Sequence, residues 1–137
     1  MTAFNAYLFF DGNCGEAMRF YERALGAKIE ALMTDAEVPA DSSVPPGKGH
    51  LVMHARLSLG GNILMASDDR PGDYQGMKGF NLSLSYATPD EARKAFDALA
   101  QGGRVKMAME ATFWSPAFGM VEDQFGVPWM VGCEPKT

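Results

Sequence analysis

The chain of 137 residues has only two histidines, His50 and His54, and the second stands in the run "MHARLSLGG", two residues ahead of Arg56. An imidazole titrates near neutrality, so His54 is a candidate general base or ligand-binding group. No carboxylate partner for it can be assigned along the chain, and a hydrogen-bonded structural histidine is the competing reading. Glu110, which follows "KMAM", is a candidate binding carboxylate, although glutamates more commonly stay in solvent. Cys14 and Cys133 lie near opposite ends and read as free thiols rather than a disulfide. Cys14 begins a helical pattern whose dipole would lower a thiol pKa, but no histidine is near it in sequence. The aromatic candidates crowd into "TFWSPAFGMVEDQFGVPWMVGCEP", Thr112–Pro135, with Trp114 and Trp129 on either side of "EDQFG". That segment reads as a hairpin carrying bulky side chains into a cavity. Trp129 is expected in the core, whereas Trp114 begins a loop and could serve as core or as ligand platform.

Composition narrows the classes of partner. The formal net charge is -5 and no cluster of Lys and Arg stands out, which argues against nucleic acid. Apolar residues make up 47% of the chain, enough for one domain with a core, 1–137. No run approaches the ~20 apolar residues of a membrane helix. The start "MTAFNAYLFFDGNCGEAM" lacks the pattern of a secretory leader, so a soluble cytoplasmic protein is expected.

The elements that must position these residues occur twice. "FNAYLFF" (Phe4–Phe10) is an apolar strand. "CGEAMRFYERALGA" (Cys14–Ala27) has apolar residues at helical spacing and a glycine stop at Gly26. "KIEALMT" is a strand, and "HLVMHARLSLGGNILMASD" reads as two strands joined at Gly60-Gly61. The Pro-, Gly- and Ser-rich stretch from Asp35 to Gly49 is a long loop, readable as a lid or as a surface excursion. The second half repeats the order. "GFNLSLSYA" (Gly79–Ala87) is a strand with one polar face, and "TPDEARKAFDALAQGG" is a helix with Thr88 as N-cap and Pro89 in its first turn. "RVKMAMEAT" and the hairpin "FGMVED"/"VPWMVG" complete it. Glu16-Ala17 is matched by Glu91-Ala92, and Tyr21 by Phe96. The expected fold is α+β: duplicated βαβββ modules, about 1–70 and 78–137, forming a curved mixed sheet around a cleft. Such a chain carries more apolar surface than it can hide alone, so a homodimer is expected.

The segments "YLFFDGNCGEAMRFYERALGAK", "MHARLSLGGNILMASD" and "TFWSPAFGMVEDQFGVPWMV" resemble the vicinal oxygen chelate superfamily, which includes glyoxalase I, extradiol dioxygenases, and fosfomycin- and bleomycin-resistance proteins. The resemblance is to its PhnB-like branch and is carried most specifically by Trp114, Gly119-Met120, Asp123, Phe125-Gly126 and Trp129. Ser115 and Gln124 depart from that branch's pattern, which has Gly after the Trp and Pro in the turn.

The resemblance implies metal-ligand positions on the first, fourth, fifth and eighth strands. These fall on Asn5, near Met65, on Asn81 and near Met130. Amides are weak lone ligands and thioethers favour soft ions, so neither suits a glyoxalase-type divalent centre. Strand alternation puts Asn81, Ser83 and Ser85 on a face opposite Leu82, Leu84 and Tyr86, and by pseudo-symmetry Asn5, Tyr7 and Phe9 on the matching face. The expected function is therefore metal-free, cofactor-free binding of a small molecule in an aromatic cleft. Its ligand-binding residues would be Asn5, Tyr7, His54, Met65, Asn81, Ser83, Trp114 and Met130. The alternative is a metal-dependent lyase or isomerase of glyoxalase type, using a displaced site with His54 and Glu110. A methyltransferase finds no support, because no Gly-rich loop follows a strand.

Overall fold

The computed structural model describes residues 2–37 and 50–135. Most of the expected Asp35–Gly49 loop, residues 38–49, lies outside the described residues. The contacts divide the chain into two compact units, Met1–Gln75 and Gly76–Thr137.

In the first unit the elements are β1 (Ala6–Phe10), α1 (Cys14–Leu25), β2 (Lys28–Thr34), a single 3-10 turn (Asp35–Glu37), β3 (Val52–Leu59) and β4 (Asn62–Asp68). The strands form one sheet in the order β1-β4-β3-β2, with β1 and β4 parallel and the other neighbours antiparallel. Alternation along β1 turns Leu8 and Phe10 into the core with Ala17, Met18 and Tyr21 of α1, while Tyr7 and Phe9 stay exposed on the face away from α1. Helix α1 ends at Leu25 rather than Ala27, because Gly26 takes the left-handed conformation (φ +72°) and donates its N–H to Glu22 O. The β3–β4 turn falls at Gly60-Gly61 as expected. Both residues have positive φ, the requirement of a two-residue turn that matches strand twist.

Helix α1 gains its N-terminal cap from a distance. Asn13 makes no side-chain cap. The Asp68 carboxylate instead accepts from Cys14 N–H at 2.9 Å and from Val52 N–H at 2.8 Å. One side chain at the end of β4 thus satisfies an orphan helix donor and a strand donor together.

The second unit comprises β5 (Leu82–Tyr86), α2 (Pro89–Ala100), β6 (Arg104–Glu110), β7 (Phe118–Glu122) and β8 (Pro128–Cys133). Its sheet order is β5-β8-β7-β6, the same pattern as the first, with β5 and β8 parallel. The architecture is α+β, as the element pattern implied. Thr88 caps α2 by accepting from Glu91 N–H at 3.2 Å, and its hydroxyl donates to the Glu91 carboxylate at 2.9 Å. Ala92, Ala95, Phe96 and Leu99 are buried, as are Val121, Trp129 and Val131 of the sheet. β1 begins at Ala6, not Phe4, and β5 at Leu82, not Gly79. Asn5 and Asn81, expected on those strands, therefore lie just ahead of them and are exposed.

Candidate functional site

The sheet face turned away from α2 is built by register. Ser83 lies opposite Met130, Met130 opposite Met120, and Met120 opposite Met107. In the next row Ser85 lies opposite Gly132, Gly132 opposite Phe118, and Phe118 opposite Glu110. Paired residues share a face, so two serines, a line of methionines, Phe118 and Glu110 stand on one side. At one end of this face is a cavity of about 360 Å³ lined by Ser83, Ser85, Trp114, Phe118, Gly132 and Glu134, among others.

The loop ahead of β7 sets Trp114 over that cavity. Thr112 Oγ1 accepts from Trp114 N–H at 3.3 Å and from Ser115 N–H at 3.1 Å, and Thr112 N–H donates to Ser115 O at 2.8 Å. The turn is anchored by Ser115, which is buried. Its hydroxyl oxygen lies 2.5 Å from Cys133 O and 2.8 Å from Ala117 O, and accepts from Ala117 N–H at 3.3 Å. Ser115, which departs from the resembled pattern, thus ties the loop to β8, and only the tertiary contact reveals it. Trp114 remains 46% exposed and meets Phe118 edge-to-face with ring centroids 5.4 Å apart. Gly132 leaves room beneath them, since a Cβ there would lie 3.3 Å from Phe118 Cδ2.

The first unit presents a second cluster on the face away from α1. Tyr7 lies opposite Met65, and Met65 opposite Arg56. The Tyr7 hydroxyl is 3.4 Å from His54 Nδ1, and the Phe9 ring centroid is 5.3 Å from that of Tyr7. His54 therefore has a phenol as its neighbour, where a general base would be oriented by a carboxylate.

Of the expected site residues, Tyr7, His54 and Met65 share one face in the first unit. In the second unit Ser83, Met130 and Glu110 share another, with Trp114 over the cavity there. Ser83 and Trp114 line the cavity, while Met130 lies beside it. Asn5 and Asn81 are corrected to coil positions. Sequence reasoning missed Ser115, Phe118, Gly132 and Glu134; the alternation that marked Ser83 could have marked Phe118 and Gly132. Trp129 is buried, and its indole Nε1 donates to Asp123 Oδ2 at 2.9 Å, so it belongs to the core.

The donors on each face do not fit a divalent centre of the type the resemblance implies. On the first, one imidazole is accompanied by a phenol and a thioether, and the Glu30 carboxylate is taken up by the Ser58 hydroxyl, which donates to it at 2.7 Å. On the second, the donors are serine hydroxyls, thioethers and the lone carboxylates of Glu110 and Glu134. Among the described residues no group of three or more His, Cys, Asp and Glu side chains is placed to hold a metal ion. Cys14, buried and beside Asp68, has its thiol pushed up to about 12 by desolvation and, secondarily, by the carboxylate. It is not an activated nucleophile.

A model of the Glyoxalase/Bleomycin resistance protein/Dioxygenase superfamily matches residues 3–131. The chain belongs to this superfamily. Within it, the chain is 36% identical over 133 residues to Protein YjdN of Escherichia coli, covering 91% of this chain and 90% of that one. The crystal structure of PA1353 from Pseudomonas aeruginosa matches with 43% identity and a TM-score of 0.89, over 99% of this chain and 100% of that one. The PhnB protein of Bacillus cereus, described as a putative 3-demethylubiquinone-9 3-methyltransferase, matches with 26% identity and a TM-score of 0.79 over 96% and 99% of the two chains. The superfamily's fold is thus present, and a PhnB protein is among the structures that share it. Among the described residues no helix is long and apolar enough to cross a membrane.

Proposed function

We propose that this chain is a PhnB-like superfamily member that binds a small molecule, without a divalent metal, in the cavity beneath Trp114. The observation that carries the reading is the half-exposed Trp114 standing against Phe118 over a cavity of about 360 Å³ with serine hydroxyls on its wall. A contiguous apolar patch left in solvent marks an interaction site, and a few hydroxyls among aromatic walls are the usual make-up of a small-molecule site. The donor chemistry supports binding without a metal: among the described residues, neither sheet face brings together three His, Cys, Asp or Glu side chains placed to hold an ion.

Thermal denaturation with added Zn²⁺, Mn²⁺, Ni²⁺ or Fe²⁺ tests the metal half of this reading. A ligand that binds only the native state must raise the melting temperature, and these ions are expected to leave it unchanged. A metal-dependent rise that disappears in His54→Ala would replace this reading with the glyoxalase-type lyase or isomerase. A screen of metabolites and antibiotics by the same method tests the other half. Compounds that stabilise the protein are expected to lose their effect in Trp114→Ala, which should itself fold normally because the side chain is half in solvent.

A further inference from the structure

We propose that the cavity beneath Trp114 selects flat organic cations, with the Glu134 carboxylate as their counter-charge. This rests on the small-molecule reading of the same cavity and adds the chemical class of its occupant.

Among the described residues the cavity wall contains three serines, one glutamate and two aromatic rings, and neither Lys, Arg nor His. Ser115 cannot serve a ligand, because its hydroxyl is held between Cys133 O, Ala117 O and Ala117 N–H. Ser83 and Ser85 are exposed and project from alternate positions of β5 on the same face. Their oxygens can accept from N–H groups of a ligand. Glu134 is set in place by its backbone: its N–H donates to Tyr86 O at 3.0 Å, just beyond the β5–β8 ladder. Alternation from buried Cys133 turns the Glu134 side chain to the cavity side. Among the described residues its carboxylate makes no ion pair. Glu110, opposite Phe118, adds a second negative charge to the same face.

The aromatic walls act in the same direction. Indole and phenyl faces carry negative potential, and tryptophan is the strongest of the aromatic partners for a cation. The edge-to-face arrangement of Trp114 and Phe118, at an interplanar angle of 68°, leaves indole surface in solvent. A flat cation can stack there with its charge towards Glu134. An anion would meet the carboxylate and the ring faces with no positive group among the described lining residues to offset them. A neutral ring would gain the stacking alone.

Calorimetric titration at low ionic strength and pH 8 with three probes of one shape tests this: N-methylquinolinium chloride, neutral quinoline and quinoline-2-carboxylate. The cation is expected to bind roughly ten-fold more tightly than quinoline, with the anion weakest, from the combined ring and carboxylate attractions. Glu134→Gln should weaken the cation about three-fold and leave quinoline unchanged. Raising the salt should narrow the gap between cation and neutral ring. Equal affinity for cation and quinoline, tighter binding of the anion, or indifference of the cation to Glu134→Gln would overturn the charge selection. In those cases the cavity would still bind, provided Trp114→Ala abolishes the binding of all three probes. Absence of binding by every probe, or binding that survives Trp114→Ala, would overturn both this inference and the reading it rests on.

Discussion

Asp123 and Trp129, six residues apart at opposite sides of the last turn, are joined by a hydrogen bond from indole Nε1 to carboxylate Oδ2 at 2.9 Å. The other carboxylate oxygen of Asp123 accepts from Phe125 N–H at 2.9 Å and Val127 N–H at 3.0 Å. The side chain is almost fully buried, so the β7–β8 turn is closed around one ion whose charge is offset by three N–H donors. The strands so registered are those that carry Phe118, Met130 and Gly132.

Asp123→Ala should therefore be among the most destabilising substitutions in the second unit. It leaves three donors without their acceptor in a buried turn, at a cost of about 3 kcal/mol. Asp123→Asn keeps the shape and one acceptor oxygen, and should cost about half as much. Urea unfolding measures both. Equal stability of Asp123→Ala and the parent would mean that the turn is held by its backbone alone.

Gly132 offers a way to close the cavity while leaving its aromatic wall in place. Its φ is not in the left-handed region, so a side chain meets no backbone strain, and the nearest obstacle is the Phe118 ring 3.3 Å from the Cβ position. Gly132→Val should abolish binding of N-methylquinolinium while costing about 1 kcal/mol of stability. Calorimetry beside urea unfolding separates the two effects. Retained binding would place the ligand elsewhere.

The alkaline limb of the stability curve should carry the mark of Cys14. In the native state burial and Asp68 hold its thiol protonated to about pH 12, whereas the ordinary value is 9.0. The unfolded chain then binds fewer protons than the native one once the pH passes 9. Stability from this group is complete below pH 9 and is lost as the pH rises towards 12. Tyr86, raised by burial and by Glu91, acts in the same direction at the upper end of that range. Melting temperatures from pH 8 to 11 should fall less steeply in Cys14→Ser than in the parent. The same shift predicts that the native thiol resists alkylation at pH 8 and reacts on unfolding. An unchanged slope would remove Cys14 from the account.

Much of the fold was legible because its signals are local. Thr88, Pro89 and Glu91 announce the start of α2 through bonds that span three residues, and Gly60-Gly61 specify a turn by their permitted φ. Alternation along β1 and β5 separated core from open face, and so found Tyr7 and Ser83. The strand starts were less legible. Asn81 continues the alternation of β5, yet one residue before the Leu82–Trp129 pair the neighbouring strand has only Pro128, which has no N–H to add to a ladder. Asn5 similarly continues the pattern of β1 without being part of its ladder.

The order of strands and helices and the two buried helix faces follow from the amino-acid sequence, because residue type and short-range spacing are enough to decide them. The cavity under Trp114, the anchoring of its loop by Ser115 and the remote cap that Asp68 places on α1 were decided by tertiary structure. Ser115 reaches a carbonyl 18 residues away, and Asp68 a helix N–H 54 residues away. Propensity and periodicity act over one or two turns of chain; which groups meet across such separations is set only when the sheets pair and the helices pack on them.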